Sequence, residues 1–288
     1  MRILDGKVIV VTGGAAGIGR EMVLGLARSG ARVLAADISG DAIASLDREL
    51  TGTPLAPHVR SMRIDLAQPA SGEALVEFAR RELGPIHGLV NNAGIGRSVI
   101  KEDIFREPPR FWEMSEAIWE RFLAINASAA FRTMKAAVAA MVRQGEGRIV
   151  NVTTSLDSML NAGAAGYGPS KAAAESLSAI AAADLRGTGV VVNVLIPGGP
   201  VDTAMIPANA PFERRALLSP QCMVAPLCWL MSDAARDVTA VRIQAHLWRD
   251  DLPGQEALRL AAAPIAWTPL AGQLRKPATT EGKPGQGS

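Results

Sequence analysis

The sequence predicts an α/β protein built on a parallel β-sheet, and two features of its 288 residues support this prediction. Short apolar runs alternate with longer helical patterns, which is typical of repeated strand–helix units. Several of the short runs are almost entirely β-branched, as expected for strands that are buried on both faces. Apolar residues make up 48% of the chain and charged residues 20%, so the chain can bury a sizeable core.

The predicted elements alternate in order along the chain. The β-branched and other apolar runs predict strands at Lys7–Val11, Arg32–Ala36, Val59–Ile64, Gly88–Asn91, Arg148–Thr153, Val190–Ile196 and Val238–Ala245. The helical patterns predict helices at Gly17–Ser29, Asp41–Leu50, Ser71–Leu83, Ser115–Gln144, Tyr167–Arg186 and Pro220–Ser232. Gly30 and the pair Gly84–Pro85 end the first and third helices, because glycine and proline do not continue a helix.

A single domain is predicted for residues 1–250, since the sheet pattern runs without a compositional break to about residue 245. That domain combines dinucleotide binding and catalysis. Residues 251–288 are predicted to be a partly disordered C-terminal extension, because the chain from about Pro264 is rich in Pro, Gly, Thr and Lys.

Charge and cysteine content exclude several classes of function. Lys plus Arg is 30 and Asp plus Glu is 28, without a basic stripe, so we expect no nucleic-acid or membrane partner. Cys222 and Cys228 do not have zinc-ligand spacing, and the three histidines are scattered, so we expect no metal site. With neither a signal peptide nor a long apolar stretch in the sequence, we expect a soluble, cytoplasmic protein that acts on a small molecule.

A glycine-rich string follows the first predicted strand. Thr12–Gly19 reads TGGAAGIG, and its glycines allow a tight turn and let a phosphate approach the amides of a helix N-terminus. Asp37 closes the second strand 18 residues after Gly19, where a carboxylate can accept hydrogen bonds from the adenosine ribose. A carboxylate there repels a 2′-phosphate and Ile38 offers no cation, which favours NAD over NADP. Alternatively, Asp37 only starts a turn.

Tyr167 and Lys171 lie four residues apart at the start of a helical pattern. Residues at this spacing share a helix face, so the phenol and the ammonium can point into one site. A nearby ammonium is expected to lower the pKa of the tyrosine toward the working pH. The alternative is a surface Tyr and Lys on one helix.

Three motifs together resemble the short-chain dehydrogenase/reductase family in its compact single-domain form. They are TGGAAGIG, NNAG at Asn91–Gly94, and YGPSK at Tyr167–Lys171, and the resemblance covers roughly residues 5–245. It implies a Rossmann-type, doubly wound parallel sheet of about seven strands with helices on both faces. It also implies hydride exchange between a nicotinamide cofactor and an alcohol or carbonyl compound.

The resemblance assigns four catalytic positions. Tyr167 matches the acid/base, Lys171 the lysine that holds the nicotinamide ribose, and Asn126 the asparagine that supports a water-mediated proton relay. The family serine falls on Thr154, 13 residues before Tyr167, whose hydroxyl can serve the same purpose. Ser155 is the alternative if the loop is shifted by one residue.

The resemblance also assigns a set of cofactor contacts. These are Gly13, Ala16, Gly17, Ile18, Gly19, Asp37, Ile38, Asp65, Leu66, Asn92, Ala93, Gly94, Tyr167, Lys171, Pro197, Gly198, Val201 and Thr203. Asp65 and Leu66 match the adenine contacts, Asn92 a ribose contact, and Val201 and Thr203 the carboxamide end. The loop that follows Pro197 is one residue longer than is usual in the family.

Two segments are candidates to close a substrate pocket, Gly96–Trp119 and Asp202–Leu218, with Met159 and Leu160 beside them. Their apolar side chains suit a substrate with a ring or carbon skeleton beyond the reacting carbon. Three arginines in these segments are candidates to bind a carboxylate or phosphate, or are simply solvated: Arg110, Arg214 and Arg215.

The sequence therefore predicts an NAD-dependent oxidoreductase that acts on a secondary alcohol or ketone. Two alternatives remain open, an NADPH-dependent carbonyl reductase and a nucleotide-sensing protein that has the fold but no turnover. The alanine-rich helices are the faces through which the family assembles, so the resemblance implies a homotetramer or homodimer.

Overall fold

The fold is centred on one β-sheet, which the computed structural model of the chain describes within residues 2–270. Its strands are β1 (Val8–Thr12), β2 (Arg32–Asp37), β3 (Val59–Arg63), β4 (Gly88–Asn91), β5 (Gly147–Val152), β6 (Val190–Ile196), β7 (Val241–Gln244) and β8 (Ala262–Pro264). Their order across the sheet is β3-β2-β1-β4-β5-β6-β7-β8. The first seven strands pair in parallel, and β8 runs antiparallel to β7. The predicted α/β sheet is confirmed, with one strand more than expected.

Helices cover both faces of this sheet. They are α1 (Gly17–Arg28), α2 (Gly40–Leu50), α3 (Ser71–Leu83), α4 (Glu116–Leu123), α5 (Ala129–Gln144), α6 (Leu156–Leu160), α7 (Tyr167–Asp184), α8 (Val224–Met231) and α9 (Gly254–Ala261). Successive side chains of a strand point to opposite faces, so β1 contributes Ile9 and Val11 to one core and Val8 and Val10 to the other. Helices α1 and α8 pack on the first core, and α3, α5 and α7 on the second.

The strand order reverses between β1 and β4. From β1 the chain proceeds outward to β2 and β3, and then crosses to β4 on the other side of β1. The loops that follow β1 and β4 therefore leave in opposite directions and open a crevice at the carboxyl edge of the sheet. Most of the predicted site residues lie along this edge.

The long helix that the sequence predicts over Ser115–Gln144 is not continuous. A π-helical turn, Ala124–Ser128, separates α4 from α5. This turn accommodates an extra residue, and π-turns of this kind are frequent at functional sites. The alanine-rich pattern of the sequence runs through this turn and does not reveal it, although the residue that the turn buries is the polar Asn126.

The folded unit continues past residue 250, where the sequence predicts the domain to end. Helix α9 buries Ala257 and Ala261, and β8 extends the sheet by pairing with β7. The remainder of the predicted extension, 271–288, lies outside the described residues. In the part of the chain that the structure covers, no helix has both the length and the apolar character needed to span a membrane.

Candidate active site

The glycine-rich loop after β1 is tightly packed. Gly13 has a φ of +61°, and a Cβ atom there would lie 2.9 Å from Cα of Ala93. A Cβ atom on Gly19 would overlap the carbonyl oxygen of Gly13. Both positions therefore require glycine, and the turn brings the loop against the segment that follows β4.

The loop leads directly into the N-terminus of α1. Ala16 occupies the N-cap position and has no side-chain hydrogen bond to the helix amides. The first-turn amides, which include those of Ile18 and Gly19, thus keep their capacity to bind an anion. A Cβ atom on Gly17 would lie 3.2 Å from Cγ2 of Thr203, so the loop after β6 reaches the same point.

Asn92 fastens this loop to β4. Its Nδ2 donates hydrogen bonds to the carbonyl oxygens of Thr12 at 3.1 Å and Gly13 at 3.0 Å. The Thr12 hydroxyl in turn accepts from the backbone amides of Asn92 and Ala93, each at 3.0 Å. The Asn92 amide nitrogen is thus directed at the glycine-rich loop, whereas the family resemblance assigns this residue a ribose contact.

Asp37 lies half-buried at the end of β2. Oδ2 accepts from the amide of Ala15 at 3.1 Å, and Oδ1 accepts from the amide of Ser39 at 3.0 Å. The carboxylate therefore both starts the predicted turn and sits beside the glycine-rich loop. The neighbouring strand places Arg63 opposite Asp37, and Nε of Arg63 donates to the Ile38 carbonyl at 3.3 Å. The prediction of NAD rests in part on the lack of a cation at residue 38, and Arg63 places one nearby.

Asp65 and Leu66 lie at the next loop along the edge, after β3. Asp65 accepts from the side chain of Gln68 and the amide of Ala67, each at 2.9 Å, and these bonds lower its pKa. Leu66 is buried against the core. Together with the uncapped helix α1 and the Asp37 carboxylate, this edge has the donors and acceptors that fit a dinucleotide.

Tyr167 and Lys171 begin α7, as predicted. Lys171 is buried, its Nζ donates to the Val152 carbonyl at 3.0 Å, and burial lowers its pKa to about 8. Burial raises the pKa of Tyr167, against the opposing effects of the Thr154 hydroxyl and the positive charge of Arg97. The net shift is therefore opposite to the lowering by Lys171 that the spacing predicts, and the cation that acts against it is Arg97. Lys171 points its ammonium at the backbone of β5.

Asn126 occupies the π-turn and is buried. Its Oδ1 accepts from the Ile95 amide at 2.8 Å, and its Nδ2 donates to the Ile95 carbonyl at 3.1 Å. Nδ2 also donates to Oγ of Ser170 at 3.0 Å. A Cβ atom on Gly94 would lie 3.1 Å from Oδ1 of Asn126 and 3.2 Å from Nζ of Lys171. The structure thus brings Gly94, Asn126 and Lys171 together.

The two hydroxyl candidates after β5 have different surroundings. Ser155 is the N-cap of α6: its Oγ accepts from the Ser158 amide at 3.2 Å and pairs with the Ser158 hydroxyl at 2.6 Å. Thr154 instead faces Tyr167. The Thr154 hydroxyl, and not that of Ser155, therefore lies beside Tyr167.

Behind Thr154 lies a buried ion pair that the sequence does not predict. Arg242 of β7 donates to the Thr154 carbonyl, and its Nε lies 3.4 Å from Oε1 of Glu175 on α7. Glu175 accepts from the Thr153 hydroxyl at 2.6 Å and from the Ala266 amide at 3.0 Å. The only sequence signal is a pair of charged residues inside otherwise apolar strand and helix patterns.

The loop after β6 is packed against the end of the sheet. Gly198 has a φ of +92°, and a Cβ atom there would overlap Nδ1 of His246. The His246 amide donates to the Pro197 carbonyl at 3.1 Å, and Val201 is buried and bridged to Leu218. His246, one of the three histidines scattered through the sequence, forms part of this wall.

The two predicted pocket segments contact each other. The Ser98 hydroxyl donates to the Met205 carbonyl at 3.3 Å, and the rings of Phe105 and Phe212 meet edge to face with centroids 5.3 Å apart. A groove of about 520 Å³ lies between residues 108–112 of the first segment and residues 159–165, and no residue of the second segment lines it.

Comparison with known proteins gives consistent matches. The family described as short chain dehydrogenase matches residues 7–213. A short-chain type dehydrogenase/reductase from Picea abies is 33% identical over 84% of this chain and 92% of its own length. A 3-oxoacyl-acyl-carrier-protein reductase from Escherichia coli (strain K12) is 31% identical, over 75% of this chain and 82% of its own.

A solved structure with the same fold is that of a putative NAD(P) dependent gluconate 5-dehydrogenase from Beutenbergia cavernae, with NADP bound at low occupancy. It superposes with a TM-score of 0.70 and is 32% identical in sequence. The match covers 82% of this chain and 93% of that one.

Proposed function

The chain belongs to the short-chain dehydrogenase/reductase family, and we propose that this oxidoreductase transfers a hydride between NAD(H) and a secondary alcohol or ketone. The observation that carries the proposal is the grouping of Thr154, Tyr167 and Lys171 at the carboxyl edge of the sheet, with Asn126 beside Lys171. A partly buried phenol next to a hydroxyl is suited to holding and protonating a substrate oxygen.

Each of these residues has a role in the proposed reaction. Thr154 hydrogen-bonds the substrate oxygen, and Tyr167 gives its proton to that oxygen in reduction or removes it in oxidation. Because burial raises its pKa, Tyr167 holds its proton at neutral pH, as a proton donor must. A nicotinamide bound at this edge supplies or accepts the hydride. Orientation of the reactants accounts for much of the acceleration.

Lys171 and Asn126 form the proposed proton path that leads from solvent to Tyr167. The buried ammonium with a pKa of about 8 is suited to hold ribose hydroxyls while it exchanges a proton near neutral pH. Asn126 hydrogen-bonds both the amide and the carbonyl of Ile95. The adjacent Gly94 has no side chain, which leaves space between Oδ1 of Asn126 and the ammonium of Lys171. We infer that a proton returns to Tyr167 from solvent by this path.

The Tyr167→Phe variant tests the proposal. We expect reduction of NAD⁺ by at least one member of a panel of cyclic, aromatic and sugar-type secondary alcohols. The variant should lose about 10²- to 10⁴-fold in kcat/KM, the usual contribution of a positioned acid/base, and still bind NADH. A nucleotide-sensing protein would bind NADH but show no turnover that depends on Tyr167.

NADP(H) is the second candidate cofactor, and the chain would then be a carbonyl reductase. Support for NAD comes from the Asp37 carboxylate, which repels a 2′-phosphate. Support for NADP comes from the Arg63 guanidinium beside Ile38 and from the NADP in the Beutenbergia cavernae structure. Asp37→Ala should lower the ratio of NAD to NADP activity if Asp37 selects NAD. Arg63→Met should raise it if Arg63 contacts a 2′-phosphate.

We also propose a cytoplasmic homotetramer or homodimer that assembles through α5 and α7. Large apolar side chains stay exposed on these helices, with Phe131 at 50% and Ile180 at 55% exposure. Small alanine side chains between them allow close helix approach. Sedimentation velocity of the wild type and of Phe131→Glu tests this assembly, which should dissociate in the variant.

A further inference from the structure

Arg97 differs from the other arginines near the proposed substrate pocket. It begins the short 3-10 turn Arg97–Val99, two residues after the position that Asn126 fixes at Ile95. The side chain is partly buried, and burial lowers its pKa while interaction with Tyr167 raises it. Over residues 2–270, Arg97 makes no salt bridge with a carboxylate, and Tyr167 is the ionisable group whose charge acts on it.

Of the three arginines selected from the sequence, Arg214 and Arg215 already have acidic partners, and Arg110 is exposed to solvent. Arg214 pairs with Asp202 at 2.6 Å, and Arg215 pairs with Glu213 at 2.9 Å. A cation withdrawn from water without a counter-charge is unfavourable unless something else supplies the negative charge. Arg97 is therefore a partly buried cation near Tyr167 that lacks a carboxylate partner within residues 2–270. A bound ligand can supply the missing negative charge.

The surroundings of Arg97 are those of a binding group. Its guanidinium carbon lies 4.6 Å from the ring centroid of Phe105, and Phe105 is held by its edge contact with Phe212. Stacking on an aromatic face orients a guanidinium but leaves its N–H groups, which lie in the guanidinium plane, able to donate. Aromatic walls also exclude water, which strengthens an ionic hydrogen bond.

We propose that Arg97 binds an anionic oxygen group of the substrate, in the first place a carboxylate, while Tyr167 and Thr154 hold the reacting oxygen. The proposal rests on the proposed function and sharpens it: the substrate class is hydroxy acids and the corresponding keto acids. A phosphate presents the same anionic oxygens, so the experiment includes both groups.

The test measures kcat/KM for matched substrates in the direction of ketone reduction. Keto acids whose carbonyl lies at increasing distance from the carboxylate are each compared with their methyl ester, and dihydroxyacetone phosphate is compared with dihydroxyacetone. We expect wild type to prefer the anionic member of at least one pair by about 10- to 100-fold, the range for a hydrogen bond to a charged group. In Arg97→Met this preference should fall toward equality.

Two further variants make the result specific. Arg97→Lys keeps the charge without the planar fork, so it should recover part of the preference. Arg215→Met removes an arginine of the same region that already has a partner, and it should leave the preference unchanged. If Arg97 acted only on the pKa of Tyr167, its variants would change the rates for both members of a pair equally and leave the ratio intact, which would overturn the proposal.

A binding measurement needs no turnover. Benzoate, phenyl phosphate and neutral benzamide are titrated into the NADH complex and followed by calorimetry. We expect one of the two anions to bind at millimolar concentration or better, and Arg97→Met to weaken that binding about 10-fold or more with little effect on benzamide. Failure of both anions to bind, or binding that Arg97→Met leaves unchanged, overturns the inference. Absence of any turnover that depends on Tyr167 would count against the proposed function instead.

Discussion

The proposed cofactor-binding end and the proposed catalytic end of this sheet edge are held together by different kinds of contact. At the cofactor end, the loops after β1, β2 and β4 are joined by hydrogen bonds to backbone groups, through Asp37, Asn92 and Thr12. At the catalytic end, the loop after β5 is supported by the buried pair Glu175–Arg242. Backbone contacts can be lost one at a time, whereas a buried charge depends on its partner. We therefore expect graded effects when single backbone contacts are removed at the cofactor end, and severe effects when one of the two buried charges is removed at the catalytic end.

The largest effect is expected at Glu175. Glu175→Ala leaves Arg242 charged and without its partner in the interior, and the amide of Ala266 without its acceptor. Removing one member of a buried ion pair typically destabilises a protein by about 3–5 kcal/mol. Urea unfolding of the apo protein measures the loss. A loss near that of a surface substitution would remove the distinction between the two ends.

A double variant separates stability from positioning. Glu175→Leu combined with Arg242→Met replaces both charges with apolar groups, so it should recover much of the lost free energy of unfolding. It lacks the donor to the Thr154 carbonyl, however, and its kcat should stay low. Recovery of full activity in the double variant would show that the ion pair does not position Thr154.

The second prediction concerns a buried cation of the catalytic end. Burial lowers the pKa of Lys171 from 10.5 to about 8, so between these values the folded protein has released a proton that the unfolded chain keeps. Stability relative to Lys171→Met should therefore rise as the pH rises through this window, by up to about 3 kcal/mol. Below about pH 8 both states hold the proton and the difference should be constant. Urea unfolding of both proteins at neutral and alkaline pH provides the measurement, and a flat difference would contradict it.

A contrast between local patterns and long-range contacts explains which elements of the fold could be predicted. The bounds of α3, β4 and β6 were predicted to the residue, because each has a self-contained pattern with its own stop signal. Strand β8 was not predicted: its sequence, Ala262–Pro264, is short and contains proline, and it is a strand only because it pairs with β7. Helix α6 is likewise defined by its Ser155 cap more than by an apolar period.

In the site, motifs were visible and long-range partners were not. The glycine-rich loop and the Tyr167–Lys171 spacing lie within short stretches of sequence. Glu175 and Arg242 lie 67 positions apart and meet only in the folded sheet. Among charged loop residues, the sequence does not show which find an acidic partner, so it selected Arg214 and passed over Arg97.

The third prediction tests the cofactor end. Asn92→Ala removes the donor to two loop carbonyls, which should destabilise the apo protein by about 1–3 kcal/mol, less than Glu175→Ala. Because the same loop presents the helix α1 amides, NADH affinity should fall as well. The loss should be about 10-fold for each 1.4 kcal/mol of binding free energy that is spent on ordering the loop. Fluorescence titration with NADH measures this. Asn92→Asp is the matched variant: it has similar shape but sets a carboxylate against two carbonyls, and should bind NADH no better than Asn92→Ala.

The smallest effect separates two neighbouring hydroxyls at the catalytic end. Ser155→Ala removes the N-cap of α6, so it should lower the free energy of unfolding by about 1 kcal/mol. Thr154→Ala should instead lower kcat/KM, because the Thr154 hydroxyl interacts with Tyr167, and Thr154→Ser should restore activity. Chemical denaturation and steady-state kinetics on the three variants together decide between the two positions. If Ser155→Ala proved the less active of the two alanine variants, the loop would be shifted by one residue and Ser155 would carry the catalytic hydroxyl. The hydrogen bond from Arg242 to the Thr154 carbonyl would then position the residue before the catalytic one.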